Sequence, residues 1–290
     1  MQQQNPSSLG TRLRVNAASC SDTGRVREQN EDAILLCEPA DPITSAQLGW
    51  LYLLADGAGG HAAGEVASRL AVETIASAYY KQTAIHPAVE REPQNQSLIQ
   101  HLHGPLQDLD IPLQYLQQAF SAAHVHIREV ATAREEYAGM ITTCIAAVVK
   151  GTQLLVAHVG DSRAYLIHPS SGSVPAITRL TTDHSMVAEL VRAGIISPQQ
   201  MHTSSSRHII LRALGENKQA GPYPDIVTCI VQAGDRLVLC CDGLWSMLAE
   251  PQIASIVSKN TPQVACDELI RLANEAGGED NISVIILSFT

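Results

Sequence analysis

The sequence has few aromatic residues, few positive charges and no long apolar segment. Aromatic residues make up 4% of its 290 residues, and 19 Lys and Arg stand against 29 Asp and Glu, a formal net charge of -10. A chain this acidic lacks the basic stripe that holds a nucleic-acid backbone, so we expect no nucleic-acid partner. No apolar run approaches the roughly 18 residues of a membrane helix. Residues 1–15 also lack the basic stretch followed by an apolar stretch that is typical of a signal peptide. We therefore expect a cytoplasmic protein that does not associate with a membrane.

The cysteines lack the paired spacing that a metal site or a disulfide framework requires. Four of the seven lie inside apolar, strand-like runs and three are scattered, namely Cys144, Cys229, Cys240 and Cys241, and then Cys20, Cys37 and Cys266. We interpret all seven as reduced packing residues. Adjacent residues of a strand point to opposite faces, so Cys240 and Cys241 should face opposite sides.

Hydrophobic residues make up 45% of the chain and charged residues 17%, and a chain of this size can bury roughly three quarters of its unfolded surface. We expect one domain over residues 12–289, in a monomer, after a flexible N-terminus at residues 1–11. The stretch at about residues 81–110 is polar and contains Pro87, Pro93 and Pro105, which predicts an inserted loop.

Short apolar runs rich in Val, Ile and Leu predict a sheet-rich core. The predicted strands are residues 33–37, 49–55, 141–150, 153–159, 164–168, 226–232, 236–241 and 282–289. The runs at 141–149 and 153–159 read as a hairpin, and residues 160–163 as the next tight turn. Helical periodicity covers residues 65–80, 113–130, 263–275 and 184–193, the last with Asp183 as its N-cap and Gly194 as its stop.

Four aspartates stand at the ends of predicted strands, namely Asp56, Asp161, Asp242 and Asp280. Each alone is first a turn signal, but Asp56 and Asp242 lead into predicted helices rather than into a partner strand. Carboxylates within ~5 Å of each other repel by ~3 kcal/mol at an effective dielectric of ~20, so a cluster needs cations or protons. Oxygen ligands without His or Cys favour Mg²⁺ or Mn²⁺, and a two-metal site suits displacement at a phosphate ester.

Displacement at a phosphate ester also requires a positively charged side chain in a fixed position to bind the phosphoryl oxygens. Arg27, in the segment RVREQNEDA, is a candidate for a bidentate contact. A surface ion pair is the alternative for a single arginine beside carboxylates. The neighbouring Glu31 and Asp32 favour the functional interpretation.

Eight segments together resemble the bacterial branch of the metal-dependent serine/threonine protein phosphatases, the type 2C or PPM family. They are SDTGRVREQNEDA (21–33), LLADGAGGHAAGEVAS (53–68), ITTCIAAVV (141–149), VAHVGDSRAYLI (156–167), LTTDHSMVAELVRAGII (180–196), RHIILRALG (207–215), LVLCCDGLWSML (237–248) and GGEDNISVIIL (277–287). They occur in the order of the family. The resemblance implies an α+β fold, an α-β-β-α sandwich of two antiparallel sheets flanked by helix pairs, with a substrate flap at about 181–214.

The resemblance also implies roles at a centre of two Mg²⁺ or Mn²⁺ ions with a possible weaker third ion. In it Asp56 bridges both ions, the Gly57 carbonyl binds one of them, and Asp242 and Asp280 bind the other. Asp161 belongs with Asp242 to the third site. Glu31 holds a metal-bound water, Asp32 supports the site from behind its ligands, and Arg27 binds the substrate phosphate, which makes Arg27, Asp56 and Asp242 the catalytic residues.

Three features depart from the family pattern. Ala58 stands where animal members carry a His assigned as the general acid, so the resemblance supplies no such acid here. Ser246 stands where those enzymes have a further aspartate for the third metal, and residues 201–215 replace a commoner flap sequence. His184 and His208 in the flap could touch substrate, but we favour capping or packing roles for them, and a satisfied core role for His158.

The resulting hypothesis is an enzyme that dephosphorylates phosphoserine and phosphothreonine in proteins by direct attack of water. Its partners would be phosphorylated proteins and, as counterpart, a cognate Ser/Thr kinase. Two alternatives remain at this point. One is a catalytically weak phosphatase-like binding module, whose mark would be loss of Asp56, Asp242 or Asp280, and the other is a hydrolase of small phosphate esters.

Overall fold

Two β-sheets stack face to face, and helices cover the outer face of each. The computed structural model describes residues 13–59, 63–81, 99–101, 109–169, 175–201, 204–217 and 223–290. Its strands are β1 (Val15–Asp22), β2 (Asp32–Cys37), β3 (Trp50–Ala58), β4 (Ile99–His101), β5 (Ile141–Thr142), β6 (Cys144–Lys150), β7 (Gln153–Val159), β8 (Arg163–His168), β9 (Ala176–Arg179), β10 (Asp225–Ile230), β11 (Arg236–Cys240) and β12 (Ile282–Phe289). Its helices are α1 (Pro42–Leu48), α2 (Ala63–Lys81), α3 (Asp110–Ala133), α4 (Met186–Arg192), α5 (Asp242–Trp245), α6 (Glu250–Lys259) and α7 (Pro262–Glu275).

The strands form one sheet in the order β1-β12-β11-β8-β9 and a second in the order β2-β3-β6-β7-β10-β4, with β5 paired to the end of β3. All these pairs are antiparallel except β10 with β4, which run parallel. The expected sandwich of two sheets is therefore confirmed.

Alternation of side chains along the strands divides the apolar residues among three layers. Between the sheets, Tyr52 and Leu54 of β3 pack in one cluster with Leu239 of β11 and Leu287 of β12, all with no exposed surface. Burying a side chain of this size contributes about 1.5–3 kcal/mol, so this inner layer is a main reason why the two sheets stay together.

The intervening residues of the same strands face the helices. Leu51 and Leu53 of β3 pack in one cluster with Ile75 of α2 and Phe120 of α3. On the other side of the sandwich, Val238 of β11 packs in a cluster with residues of α6 and α7. The order of layers is thus helix, sheet, sheet, helix.

Most predicted strands and long helices are confirmed, with boundaries that differ by a few residues. The predicted hairpin is β6 and β7, which are paired from Cys144 with Val159 to Lys150 with Gln153. The sequence patterns missed the strands β1, β4 and β9 and the helix α1. The chain after Asp242 was expected to lead into a helix, and α5 and α6 lie there. Residues 160–163 do form a tight connection, but it carries the chain from β7 in one sheet to β8 in the other.

The start of α4 was predicted wrongly. Its N-cap is Ser185, whose hydroxyl accepts a hydrogen bond from the Ala188 N–H, rather than Asp183. The Asp183 carboxylate instead accepts hydrogen bonds from the Arg163 guanidinium at 2.6 and 3.0 Å. A buried arginine in reach of the carboxylate outcompetes a helix end, because a charge-assisted bidentate pair is stronger than a cap.

All seven cysteines are free thiols, and Cys240 and Cys241 belong to different apolar clusters, as predicted.

Other predictions fall partly outside the described residues. Within the predicted insert, residues 99–101 form β4 and α3 begins at Asp110, while 82–98 and 102–108 are not described, nor is the N-terminus at 1–11. Among the described helices, none has both the length and the apolar character to cross a membrane.

Candidate metal centre

Five aspartates from both sheets converge at one end of the sandwich. Asp32 opens β2, Asp56 lies near the end of β3, Asp161 lies in the connection from β7 to β8, Asp242 opens α5, and Asp280 stands two residues before β12. The charges of the other four all act on the Asp56 carboxylate. The strand-end aspartates of the sequence are therefore brought together, and Asp32 joins them.

Strand pairing explains this convergence. Asp32 lies directly opposite Asp56 in the β2–β3 ladder. β11 and β12 are neighbours in the other sheet, so Asp242, which follows the first, and Asp280, which precedes the second, reach the same edge. β3 continues past its predicted end to Ala58 by pairing with β5, so Asp56 lies inside the strand and its backbone is fixed.

Four of these carboxyl groups have pKa values raised above that of free aspartate, namely those of Asp32, Asp56, Asp161 and Asp242. Burial raises the pKa of Asp242 to about 6, and the charge of Asp280 adds to this shift. Burial together with the Asp242 charge raises the pKa of Asp161 to about 8. Burial and the neighbouring carboxylates raise the pKa of Asp56 well above its usual range. Each shift has the cause expected for like charges in a poorly solvated place, so the cluster favours protons or cations.

The surroundings of Asp32 indicate whether metal ions fit this cluster of carboxylates. Burial raises its pKa to about 7, and both of its carboxylate oxygens are buried without a hydrogen-bond partner among the described residues. Such unpartnered oxygens are costly unless an ion or water satisfies them. The oxygen-only donor set around them suits Mg²⁺ or Mn²⁺. The residues present therefore fit hard divalent cations.

Cys241 lies close to these carboxylates, with its sulfur within 4.8 Å of an oxygen of Asp32 and of Asp56. Its thiol donates to the Asn281 carbonyl at 3.2 Å and accepts the Ser283 N–H at 3.1 Å. Burial raises the pKa of this thiol well above 9. A neutral thiol occupied in this way is a packing group rather than a metal ligand.

Arg27 and Glu31 lie at the rim of the centre. The Arg27 guanidinium donates to the Asp280 carboxylate at 2.7 Å and is about half exposed, so part of it faces solvent beside the carboxylates. Burial raises the pKa of Glu31, an effect that the charge of Arg27 opposes. Gly64 of α2 packs against this side chain so closely that a Cβ there would lie 2.6 Å from Oε1 of Glu31.

Two threonines hold the backbone of Asp56 in place. The Thr142 hydroxyl donates to the Asp56 carbonyl at 2.8 Å, and the Asp56 N–H donates to the Thr143 hydroxyl at 3.2 Å. The Thr143 hydroxyl also lies 3.0 Å from that of Ser162, next to Asp161. Both threonines at the start of this hairpin therefore support the site.

Sequence reasoning missed Asn281. Its side-chain amide donates to the carbonyls of Thr23 and Gln29 at 2.9 Å, and its oxygen accepts the Glu31 N–H at 2.8 Å. One side chain thus shapes the loop that carries Arg27. The only sequence signal was its position directly after Asp280.

Trp245 was also missed. Its indole N–H donates to the Asp161 carbonyl at 3.0 Å, and the Arg163 guanidinium lies over its ring at 3.5 Å. Apart from an aromatic residue close to Asp242, no sequence pattern indicated this contact.

The remaining predicted positions divide into those at the centre and those away from it. Ala58 pairs with Ile141 and provides no titratable group, while Ser246 is exposed and donates its N–H to the Asp242 carbonyl. His208 is exposed and its charge lowers the pKa of Asp242, so a packing role for His208 is wrong.

The other two histidines lie outside the cluster of five aspartates, with His184 bonded to Gly160 and Asp225. His158 and His184 are buried and their rings stack at 4.7 Å, as expected for packing residues. One nitrogen of His158, Nδ1, has no partner among the described residues, so the expectation that it is fully satisfied is wrong.

Comparison with known proteins agrees with this geometry. The family described as "Protein phosphatase 2C" matches residues 18–282. A serine/threonine phosphatase stp of Listeria innocua is 35% identical over 276 residues, covering 94% of this chain and 95% of that protein. Protein phosphatase PhpP of Streptococcus pneumoniae is 30% identical, with 92% and 95% covered.

Solved structures are similar over almost the whole chain. The S. agalactiae serine/threonine phosphatase superposes with a TM-score of 0.77 at 28% identity, covering 95% of this chain and 99% of that one. The catalytic domain of the serine/threonine protein phosphatase PstP, solved with two manganese ions, gives a TM-score of 0.73 at 30% identity, with 96% and 99% covered.

The sandwich and its acidic centre thus define a metal-dependent phosphatase. More particularly, the chain belongs to the protein phosphatase 2C family.

Proposed function

We propose that this serine/threonine protein phosphatase hydrolyses phosphoserine and phosphothreonine in proteins at a centre of two Mg²⁺ or Mn²⁺ ions and reverses a cognate Ser/Thr kinase. The observation that carries the proposal is the convergence of five buried or half-buried aspartates, one of them with two unpartnered oxygens, beside a half-exposed arginine. The named substrates of the bacterial relatives support it. Seven free thiols are typical of a reducing compartment, and we propose that the enzyme acts in the cytoplasm.

The proposed ligands follow the resemblance residue by residue. Asp56 would bind both ions, the Gly57 carbonyl one of them, and Asp242 and Asp280 the other. Asp161 with Asp242 would hold a weaker third ion. The mutual charges of these carboxylates support the assignment, since they act on one another and raise the pKa of Asp56 and of Asp161. The close fit of Gly57 supports it too, because a Cβ there would lie 2.1 Å from the Gly64 carbonyl.

Side chains around the ions would bind the substrate phosphate, orient the attacking water and hold the metal ligands in place. When bound, the two cations lower the pKa of the attacking water and neutralise charge on the phosphoryl group. Arg27 would hold the phosphoryl oxygens through its exposed edge while Asp280 keeps the guanidinium in place. Glu31 would orient the water, and Asp32 would fix the ligands from behind.

The first test is phosphate release from a phosphothreonine peptide, measured with EDTA, Mg²⁺ or Mn²⁺. Asp242→Asn should lower kcat by about 100-fold or more, because even residues behind the ligands of metal sites cost about 10–100-fold. Asp267→Asn is the matched control, since Asp267 is a carboxylate of α7 that bonds Cys20 and Gln263 instead. The control should retain wild-type kcat.

The same assay separates the alternatives. A folded wild type without activity in any divalent cation would favour the binding module. Equal kcat/KM for the phosphopeptide and for small phosphate esters would favour the small-ester hydrolase. Neither alternative has a specific observation in its favour. The presence of Asp56, Asp242 and Asp280 together argues against the binding module, while a small-ester hydrolase would use the same carboxylates.

A further inference from the structure

His184 joins both ends of the flap to the connection that carries Asp161. Its backbone N–H donates to the Gly160 carbonyl at 3.0 Å, and its own carbonyl accepts the Leu211 N–H at 2.8 Å. Its Nδ1 accepts the Gly160 N–H at 3.1 Å. One residue at the start of the flap is therefore bonded to the end of the flap and, twice, to the residue before Asp161.

The far side of the His184 ring faces a charged pair at the edge of the second sheet. Its Nε2 lies 2.8 Å from the Arg212 guanidinium and 3.1 Å from the Asp225 carboxylate, and Arg212 also bonds the other oxygen of that carboxylate at 2.9 Å. Because Nδ1 accepts a backbone N–H, Nε2 is the ring nitrogen that faces both the Asp225 carboxylate and the Arg212 guanidinium. The stacked ring of His158 limits rotation of the imidazole.

The Asp161 connection is held from its other side by Trp245, which donates to the Asp161 carbonyl at 3.0 Å. It also has little freedom of its own. Gly160 has a φ of 108°, and a Cβ there would lie 2.5 Å from the Thr143 side chain. His184 therefore acts on a connection that has few alternative positions.

We propose that His184 is a positioning residue that couples the flap to the Asp161 connection, so that the two adopt their positions together. The coupling itself consists of the hydrogen bonds that His184 makes with Gly160 and Leu211. Its meaning for catalysis rests on the proposed function, in which Asp161 is a cation ligand and the flap meets the substrate. A substrate that orders the flap would then also order Asp161, and the reverse follows from linkage.

Two substitutions separate the two sides of the ring. In His184→Asn the amide oxygen can still accept the Gly160 N–H, but the side chain is too short for Asp225. In His184→Gln the amide reaches Asp225 but leaves the Gly160 N–H without its acceptor. His184→Ala removes both contacts. His168→Ala is the matched control, because His168 makes a similar pair with Asp235 at 2.9 Å at the opposite end of β8.

Two signals follow the two segments in the full-length protein, with Mn²⁺ and separately with EDTA. Trp50 and Trp245 are the only tryptophans, so in a Trp50→Phe background the emission of Trp245 reports on the Asp161 connection. Trypsin cleavage after Arg207, which is exposed in the flap, reports on opening of the flap. Neither signal requires phosphatase activity, so failure of the coupling and failure of the proposed function remain distinguishable.

We expect His184→Ala to increase the rate of cleavage after Arg207 about tenfold and to shift the Trp245 emission to longer wavelength. His184→Asn should speed cleavage while leaving the emission near that of the wild type, and His184→Gln should do the opposite. The control should change neither signal. The proposal is overturned if His184→Ala matches the control, or if Asn and Gln change both signals to the same extent, which would mean general loosening.

A kinetic measurement adds a second criterion. His184→Ala should raise KM for a phosphothreonine peptide several-fold more than KM for p-nitrophenyl phosphate, which is too small to need the flap. An equal rise for both substrates would contradict a role through the flap.

Discussion

Asp32 and Asp56 are cross-strand partners in the β2–β3 ladder, so two carboxylates that share one edge of the centre are fixed by the sheet itself. Like charges in this position destabilise a pair of strands. The sheet cannot relieve the repulsion by moving one side chain away, because both partners are part of the ladder. The fold therefore has a built-in requirement for protons or cations at this end.

This requirement predicts the pH dependence of stability without metal. The pKa is about 7 for Asp32 and about 8 for Asp161 in the folded protein, against about 3.9 in an unfolded chain. The folded state thus keeps protons that the unfolded state releases. The associated stability is fully present below about pH 4 and is lost as pH rises through 7 to 8. In EDTA we expect a lower Tm at pH 8 than at pH 5.5, and the opposite order would contradict the placement of these charges.

Metal ions should reverse that loss. Saturating Mn²⁺ at pH 8 should raise Tm by several degrees, because a ligand that binds only the folded state stabilises it in proportion to the logarithm of its concentration over Kd. Thermal scans at increasing Mn²⁺ measure this. Asp242→Asn should show a smaller increase than the wild type, while a full increase in the variant would place the ions elsewhere.

Asp32→Asn should separate stability from activity. It removes one of two facing carboxylates, so in EDTA at pH 8 the variant should have a higher Tm than the wild type. With Mn²⁺, kcat should fall about 10–100-fold, the range seen when residues behind metal ligands are changed. A variant that is less stable than the wild type in EDTA would show that repulsion between Asp32 and Asp56 is not the dominant effect.

Thr143→Val should weaken the support of Asp56. The valine keeps the shape but leaves the Asp56 N–H and the Ser162 hydroxyl without their partner. We expect the free energy of unfolding in urea to fall by about 1–3 kcal/mol, with a loss of kcat. Thr74→Val, which removes an exposed contact with His126, is the control and should cost less.

Gly64→Ala tests the position of Glu31. The added Cβ would lie 2.6 Å from the carboxylate, so the flexible side chain must move while the helix is retained. We expect kcat to fall about tenfold with little change in Tm, since Ala also favours a helix. Gly59→Ala, whose nearest contact would be 3.1 Å, should affect kcat less, and the reverse order would argue against a role for Glu31.

The elements that sequence patterns predicted well are those with strong apolar periodicity. β7 and β12 were predicted with their observed ends, because each is a run of buried residues bounded by polar turns. β1 was missed because VNAASCSD is made of small and polar residues and is held mainly by pairing with β12. β9 is short and mostly exposed, so it carries little pattern.

For the candidate site, the sequence predicted which carboxylates converge but not what holds them. The positions of Asp56 and Asp242 followed from apolar runs that end in Asp-Gly. The roles of Asn281 and Trp245 depend on which strands are neighbours and on a crossing between sheets at residues 160–163, and local patterns contain no information on either. For the same reason Asp183 was expected to cap a helix, when its partner Arg163 lies 20 residues earlier in the chain.

Cys240 and Cys241 belong to the helix-facing and the inner layer respectively, and Asp242 is the next residue along the chain. The backbone that carries this carboxylate is therefore held by two independent layers at once. A change of side-chain volume in either layer would move the carboxylate. Selection on the packing of this protein is for that reason also selection on the placement of this carboxylate.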